Sequence, residues 1–427
     1  MGAITQNKQG LKTLIAGTVL QLFLGIIYVW SVFKNPVSLY YGWEPSDVGL
    51  TASFMLCFFV IGILSGGKLQ MKIGVKFTAL IGGLMVAVGM LATALIPQGE
   101  LLGFIDPETP FSSYLEVTLV PIVPVFLIYI FYGIIGGFGV GMGYNAAIST
   151  AQKWFPQNRG LATGISVCAF GASTVVFAPV VELLNGKFEV NVTLMILSGV
   201  FAAATLLLFS FIKAPVDLPA PAIKAGELPP AARRQYTTFE MLGSPRFYLI
   251  ALSLMLGTSV FFIINPDLYD LAKDRGLESF ATYLVMFTGI ANAAGRLGAP
   301  LMSDKIGREQ ADIIILTATA LGAFGLCFAQ GGLLVAIIAV VAFCFGGYSG
   351  LYPVLTSENF GIKNIGSNYG AVMVGFMISA LLFPVVINKI EEQILRFITL
   401  GCLAVIGAIL VVVLKIVNSK KVKDNKI

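Results

Sequence analysis

The sequence contains no histidine, and only 11% of its 427 residues are charged. Histidine is the side chain that most often acts as a general base or metal ligand near neutral pH, so its absence disfavours most enzyme and metal-site classes. The five cysteines lie in apolar runs without paired spacing, which is typical of packing residues rather than of a disulfide or metal framework. We therefore expect no enzyme, cofactor or metal.

Apolar side chains dominate the composition, with 57% hydrophobic residues and a mean hydropathy of +0.89. Twelve runs of about 19 to 28 mostly apolar residues are long enough to cross about 30 Å of hydrocarbon as helices. The first run is interpreted as a retained span, because no small-residue cleavage pattern follows it. The sequence thus predicts an all-α integral membrane protein with spans at 13–33, 47–67, 77–96, 122–149, 160–182, 193–212, 246–268, 280–302, 311–329, 332–355, 366–388 and 393–415.

The basic residues are distributed unevenly between the two sides of these spans. Of the 27 Lys and Arg, 20 fall on the side of both termini, six fall on the other side, and Arg296 lies within a span. The positive-inside rule therefore predicts a multi-pass protein of the plasma or inner membrane with both termini in the cytoplasm. The net charge of +5 reflects this topology, so the expected surroundings are lipid and no nucleic acid, and we expect a monomer.

A proline-rich segment, residues 214–245, divides the chain and is interpreted as a cytoplasmic linker. It separates an N-terminal half, 1–213, from a C-terminal half, 246–427, that ends in a basic cytoplasmic tail. The halves resemble each other weakly, since GGKLQMKIGVK follows span two and GAPLMSDKIGR follows span eight. Parallel repeats of this kind are typical of transporters whose site lies between the halves at mid-membrane.

Arg296 is a cation inside a span, and the run from 280 to 302 holds no acidic residue. A charge at that depth costs at least about 2.5–3.5 kcal/mol, so it normally faces a polar cavity and has a function. We interpret Arg296 as the docking point for an organic anion, because a guanidinium matches a carboxylate bidentately. The alternatives are hydrogen bonds to carbonyls of a broken helix or pairing with Asp267. Asn292, one turn earlier, is predicted to orient the guanidinium or the ligand, or else to bond another helix.

The turn after span eight resembles the signature of the major facilitator superfamily, through Asp304, Lys305, Gly307 and Arg308 at the predicted cytoplasmic gate. When the halves are aligned on their shared KIG, Met71 stands at the aspartate position of the first half. Four stretches are similar to the oxalate:formate antiporter family of small-carboxylate carriers: GIIYVWSVFKNPV (25–37), GFGVGMGYNAAISTAQKWFPQNRGLATG (137–164), GRLGAPLMSDKIGR (295–308) and NYG (368–370).

This resemblance implies the major facilitator fold, twelve helices in two pseudo-symmetric six-helix halves, with Arg296 as the carboxylate-binding arginine. It also implies cavity positions at Tyr28, Tyr144, Phe170, Phe345, Ser349, Met373 and Phe376. For Tyr28 the alternative is an interfacial belt, and for Tyr144 it is core packing. The second essential lysine of the oxalate carrier corresponds to Phe376. A site with one cation favours a singly charged anion such as formate, lactate, pyruvate or glycolate over oxalate.

The expected mechanism is alternating access, in which the two halves rock about a central site. An unoccupied Arg296 is an uncompensated charge when the cavity closes, which favours anion exchange as the default. Proton symport stays open, and the candidate coupling residues are Asp267 and Glu358, which otherwise are helix-end residues. The alternative function is an oxalate:formate-type dicarboxylate antiporter in which another cation replaces the missing lysine.

Overall fold

A computed structural model of the chain describes residues 7–43, 48–97, 122–215, 234–277 and 280–424. It forms the predicted all-α bundle of twelve long helices. These are α1 Lys8–Tyr41, α2 and α3 as the two parts of Leu50–Ala94, α4 at 122–154, α5 Arg159–Asn185, α6 Val190–Leu208, α7 Pro245–Ile264, α8 Ala281–Ile306, α9 Arg308–Gly325, α10 Gly331–Phe360, α11 Ile365–Ile387 and α12 Gln393–Asp424. Nine described segments, one comprising both α2 and α3, are long and apolar enough to cross a membrane.

Several helix ends differ from the predicted spans. Span seven was predicted to reach residue 268, but α7 ends at Ile264 and a separate short helix follows at Leu268–Asp274. The predicted tail after residue 415 continues α12 as far as Asp424. Polar residues extend a helix beyond the hydrocarbon without any change in backbone geometry, so run length alone does not place such ends.

Two helices deviate from α geometry near the centre of the bundle. α1 passes through a 3₁₀ turn at Gly25–Val29, which carries Tyr28. At Gly25 a Cβ atom would overlap the carbonyl oxygen of Phe170 in α5, so a larger residue does not fit. α4 contains π-helical turns at Tyr129–Gly136. Deviations of this kind within helices frequently mark functional positions.

The α2–α3 and α8–α9 turns have the same backbone form, as the weak sequence repeat predicts. Gly74 has φ 83° and ψ 162°, and Gly307 has φ 96° and ψ 155°. Positive φ values of this size favour glycine, because other residues place Cβ against the backbone. The two halves therefore share this turn although their side chains differ.

We call the face at which α1 begins and α12 ends the terminal face. Asn418 of α12 donates hydrogen bonds to Glu309 at the start of α9 and to Asn359 at the end of α10. Thr13 near the start of α1 donates to the carbonyl of Phe211, which follows α6. The terminal face thus collects helix ends from both halves.

The two halves pack closely together between Arg296 and the terminal face. In the α5–α8 interface, a Cβ at Gly160 would overlap the carbonyl oxygen of Pro300. In the α2–α11 interface, a Cβ at Gly67 would overlap the backbone of Gly366. These helix pairs leave only enough room for glycine, so the structure is closed toward the terminal face at both interfaces.

Most of the predicted linker, residues 216–233, lies outside the described residues, but its end is packed rather than extended. The Tyr236 ring lies 5.5 Å from that of Phe360, and its backbone N–H donates to the Phe360 carbonyl. Thr237 and Glu240 form a capping box at the short helix Thr238–Leu242. The backbone N–H of Thr237, and then Arg234, lower the pKa of Glu240 to about 2. The aromatic contact and the backbone hydrogen bond hold this segment against α10, and the capping box fixes the start of its short helix.

Candidate functional site

Arg296 is the centre of a buried polar site to which both halves contribute. Its side chain is 1% exposed. Nε donates to Oδ1 of Asn292 at 2.8 Å, and Nη2 donates to the hydroxyl of Tyr28 in α1 at 3.0 Å. A Cβ at Gly171 in α5 would lie 2.7 Å from Cδ and 2.8 Å from Nε of Arg296. The guanidinium is therefore positioned by its own helix on one side and by two helices of the other half.

The charge of Arg296 is not neutralised within the described part of the chain. None of the ion pairs formed by these residues, with a limit of 4.0 Å, includes Arg296. Asp267 lies at the face opposite the terminal face, where it lines a small depression with Gln393 and Arg396. Only two of the five guanidinium N–H groups have an acceptor among the described residues. The remaining N–H groups are suited to a carboxylate ligand.

Aromatic rings of the N-terminal half surround the cation. The Tyr28 ring lies 5.5 Å from the ring of Phe170, and Tyr144 lies 4.9 Å from Phe170. Phe59 of α2 contacts both Tyr144 and Phe170. The guanidinium carbon is 5.5 Å from the Tyr28 ring and 5.7 Å from the Phe170 ring. Both distances are within the range of cation–π attraction, which partly replaces the lost hydration of Arg296.

Tyr369 belongs to the same site and is absent from the sequence-based prediction. It lies close enough to interact electrostatically with Arg296, as do Tyr28 and Tyr144. Its buried hydroxyl lies beside Tyr144, but it makes no hydrogen bond of standard geometry among the described residues. Tyr369, Met373 and Phe376 are spaced by four and three residues, so they share one face of α11. This periodicity is the signal in the sequence that could have identified Tyr369.

A second aromatic cluster occupies the C-terminal half and contains Phe345 and Phe376. Their rings are 6.0 Å apart. Phe345 also stacks on Phe261 of α7 at 4.1 Å, and Phe262 lies 5.0 Å from Phe376. Phe376 is 5% exposed, and its ring contacts are with the apolar rings of Phe262 and Phe345. The ring contacts of these residues are with α7 and with each other, whereas those of Arg296 are with Tyr28 and Phe170.

The other two predicted cavity residues lie on the same helices as this cluster. Met373 is buried, and Ser349 is half-buried one turn after Phe345 in α10. Neither residue forms a hydrogen bond to Arg296, because the side-chain hydrogen bonds of Arg296 are to Asn292 and Tyr28. Their placement in the lining of a cavity stays a prediction.

Asp304 joins the two halves at the terminal face. Its carboxylate accepts hydrogen bonds from the backbone N–H groups of Gly160 at 3.2 Å and Leu161 at 3.0 Å, at the start of α5. A carboxylate is stabilised there by the positive end of the helix dipole. Arg308 pairs with Asp304 at 2.5 Å and with Glu358 at 3.1 Å. Of the other predicted gate residues, Lys305 is exposed and Gly307 forms the turn.

The curated relatives of this chain are transporters. It is 26% identical over 374 residues to the MFS-type transporter YhjX of Escherichia coli (strain K12), covering 86% of this chain and 85% of that protein. It is 23% identical to the oxalate:formate antiporter of Oxalobacter formigenes, covering 83% and 78%. It is 24% identical to monocarboxylate transporter 12 of Xenopus laevis, covering 70% of each protein.

Solved structures show the same fold. FucP in the outward conformation superposes with a TM-score of 0.64 at 15% identity, over 95% of this chain and 99% of FucP. The proton:xylose symporter XylE gives a TM-score of 0.63 at 17% identity, over 94% of each chain. The model of the Major Facilitator Superfamily matches residues 14–384. This match covers most of the chain, and the relatives are transporters, so the chain belongs to the Major Facilitator Superfamily and is a membrane transporter, not an enzyme.

Proposed function

We propose that the protein is a secondary active transporter of small monocarboxylates, of the lactate, pyruvate, formate and glycolate class, working by alternating access. The observation that carries this proposal is the buried guanidinium of Arg296, whose charge has no carboxylate partner among the described residues. A transporter of this superfamily binds its substrate between the halves. Arg296 lies there, bonded to Asn292 in one half and to Tyr28 in the other.

The number of charges favours one carboxylate over two. Oxalate carries two negative charges, and in a low-dielectric site both need compensation. The resemblance to oxalate carriers places the second cation at residue 376, but Phe376 lies within an apolar aromatic cluster. Arg296 alone neutralises a monocarboxylate. This supports the monocarboxylate class over the alternative of an oxalate:formate-type dicarboxylate antiporter.

The free donors around Arg296 suggest how a carboxylate binds. One carboxylate oxygen accepts from Nη1 and the other from the unused N–H of Nη2, the bidentate geometry that guanidinium favours. The hydroxyls of Tyr369 and Tyr144 are then available as further donors from α11 and α4. A short carbon chain would lie against the ring of Phe170, since pockets for small ligands combine a few polar contacts with apolar walls.

The printed names of two relatives point in the same direction. One relative is an oxalate:formate antiporter and another is monocarboxylate transporter 12. Both names describe carriers of small organic anions, and we extend that class to this chain. We further propose that the protein lies in the plasma or inner membrane as a monomer, with the terminal face in the cytoplasm. The halves 1–213 and 246–427 then rock about the site.

Counterflow in liposomes tests this proposal. Purified protein is reconstituted into liposomes that contain unlabelled formate, lactate, pyruvate, glycolate or oxalate. Uptake of labelled lactate into these liposomes is then measured. We expect the monocarboxylates to drive uptake and oxalate to be poor. Arg296→Lys keeps the charge but loses the planar fork, so counterflow should fall by at least about tenfold with normal expression. Unchanged apparent affinity in this variant would show that Arg296 is structural.

A gain-of-function variant tests the charge count separately. Phe376→Lys introduces a second cation at the position that the resemblance assigns to it. Competition by oxalate relative to lactate should then rise, whereas Phe376→Met, which keeps the site apolar, should leave the ratio unchanged. If both variants gave the same ratio, the selectivity would not depend on charge at this position.

A further inference from the structure

A buried acid of the C-terminal half takes no part in the site described above. Asp312 lies one turn into α9, and its side chain is 0% exposed. Among the described residues, neither carboxyl oxygen has a hydrogen bond of standard geometry, and no ion pair includes this residue. A carboxylate removed from water without donors or a cation is strongly disfavoured against the neutral acid. The surroundings of Asp312 therefore favour the protonated form.

The α10 side chains that lie beside the Asp312 carboxyl are polar but uncharged. From α10, the Tyr352 hydroxyl lies beside the carboxyl, but its hydrogen bond of 2.9 Å is with Oγ of Ser253 in α7. Tyr348, a turn earlier, also interacts electrostatically with Asp312, and its hydroxyl bonds Thr319 at 2.7 Å. These hydroxyls can accept a hydrogen bond from a protonated carboxyl, but they do not neutralise a carboxylate.

Three charged residues on or beside this part of α9 are held by other partners in the described part of the chain. On α9 itself, Glu309 accepts a hydrogen bond from Asn418. From α12, Lys415 donates to Gln310. Arg308 lies four residues before Asp312, hence on the same face of α9, but its guanidinium pairs with Asp304 and Glu358.

The Arg308 contacts link Asp312 to the closure of the terminal face. Asp304, which holds Arg308, also caps α5 of the other half. When the terminal face opens, the contact between Asp304 and α5 has to break. The pairs of Arg308 with Asp304 and Glu358 lie within one half, but Asp304 then loses the α5 helix end that anchors it. A turn of the Arg308 guanidinium toward Asp312 in this open state would favour the carboxylate form, because a nearby cation stabilises it. Opening of the terminal face is therefore the step at which Asp312 would release a proton.

α10 connects Asp312 to the substrate site. Gly346 and Gly350 of α10 pack against the backbone carbonyls of Asn292 and Arg296 respectively, so closely that a Cβ would overlap each oxygen. Tyr348 and Tyr352 are each two residues further along, which places them on the opposite side of α10. One side of this helix therefore contacts the backbone of the site, and the other side faces Asp312. A displacement of α10 on substrate binding changes both environments.

We propose that Asp312 is the proton-binding site of this transporter and makes it a proton:monocarboxylate symporter. Asp312 takes a proton from water on one side, holds it as a carboxylic acid in the closed conformation described here, and returns it to water on the other side as the carboxylate re-forms. One proton accompanies one singly charged anion, so the cycle is electroneutral. This inference rests on the proposed monocarboxylate function. It makes proton symport, and not anion exchange, the expected mode of transport.

The test measures accumulation and counterflow in the same liposomes. With coupling of one proton to one anion, a step of one pH unit supports about tenfold accumulation of labelled lactate. Asp312→Asn imitates the neutral acid, so counterflow should be retained while pH-driven accumulation is lost. Glu309→Gln removes the neighbouring acid of the same helix and should keep both activities. Passive entry of lactic acid is measured in protein-free liposomes and subtracted.

The outcomes separate the two proposals. Counterflow without pH-driven accumulation in the wild type would overturn the role of Asp312 and leave the monocarboxylate function standing. Full accumulation in Asp312→Asn would also overturn it. Absence of monocarboxylate counterflow in the wild type would instead overturn the proposed function.

Infrared spectroscopy of the purified protein tests the protonation of Asp312 independently of transport, in case Asp312→Asn abolishes counterflow as well. We expect a C=O stretching band of a protonated carboxyl in the wild type and in Glu309→Gln, and its loss in Asp312→Asn. Persistence of the band in Asp312→Asn, or its absence from the wild type, would contradict the proposal.

Discussion

The α2–α3 turn and the α8–α9 turn are equivalent connections of the two halves, and both bend at a glycine with positive φ, Gly74 and Gly307. Their side chains differ. The second turn carries Asp304, which caps α5 and pairs with Arg308. The first turn carries Met71 at the equivalent position, and this side chain is 58% exposed.

The interfaces next to these turns are closed in correspondingly different ways. The α5–α8 interface is held by a charged cap. The α2–α11 interface is held by backbone packing of Gly67 on Gly366 and by Asn145, whose side-chain amide donates to the carbonyls of Ile63 in α2 and Gly366 in α11. One superfamily turn is thus kept in both halves, while the gate beside it changes from electrostatic to steric closure. The two gates should therefore respond differently to mutation.

The largest effect is expected at the steric gate. Gly67→Val places side-chain atoms where the backbone of Gly366 and Ser367 lies. This overpacking should destabilise the closed state by about 1–3 kcal/mol. We expect lactate counterflow to fall by about five- to 150-fold. Gly199→Val is the matched control, because a Cβ at Gly199 in α6 meets nothing within 4 Å. Equal rates for the two variants would refute steric closure.

A smaller effect is expected at the electrostatic gate. Asp304→Asn keeps the shape of the side chain but replaces charge-assisted bonds with neutral ones, which are about half as strong. Opening of the α5–α8 interface is measured as maleimide labelling of Leu297→Cys, opposite Gly164, in a background without the native cysteines.

Labelling in Asp304→Asn should rise by about five- to 30-fold, corresponding to a loss of about 1–2 kcal/mol. Lys305→Met is the control, because it removes an exposed charge from the same turn. A rise of similar size in the control would mean that the net charge of the turn matters, rather than the contact between Asp304 and α5.

The smallest effect is expected when the missing acid is restored. No side chain caps the start of α11, where Asn364 precedes Ile365. Met71→Asp should add a favourable interaction with that helix end of about 0.3–1 kcal/mol. Labelling of Leu64→Cys, which contacts Gly370, should decrease by about two- to fivefold, and Met71→Asn should leave it unchanged. Faster labelling in Met71→Asp would show that the turns are equivalent in backbone only.

The fold was predictable because the bilayer sets the length of each apolar run, and twelve runs give twelve helices. The central position of Arg296 and its neighbour Asn292 also followed from position along one helix. Tyr369 and Asp312 were missed because hydropathy does not show which side of a span faces a partner. Asp312 lies near the end of a span, where acids are usually solvated. Its carboxyl lies beside Tyr352 of α10, which in turn bonds Ser253 of α7, and both residues come from distant parts of the chain.

The connection between the halves is shorter in practice than its sequence suggests. The carbonyl of Tyr236 accepts hydrogen bonds from the amides of Asn364 and Asn368, and Thr238 donates to Asn368. The segment from Tyr236 onward is thereby fastened to the start of α11 and belongs to the C-terminal half. The functional boundary between the two halves therefore lies on the N-terminal side of that tyrosine, and not at residue 246 where the apolar span begins.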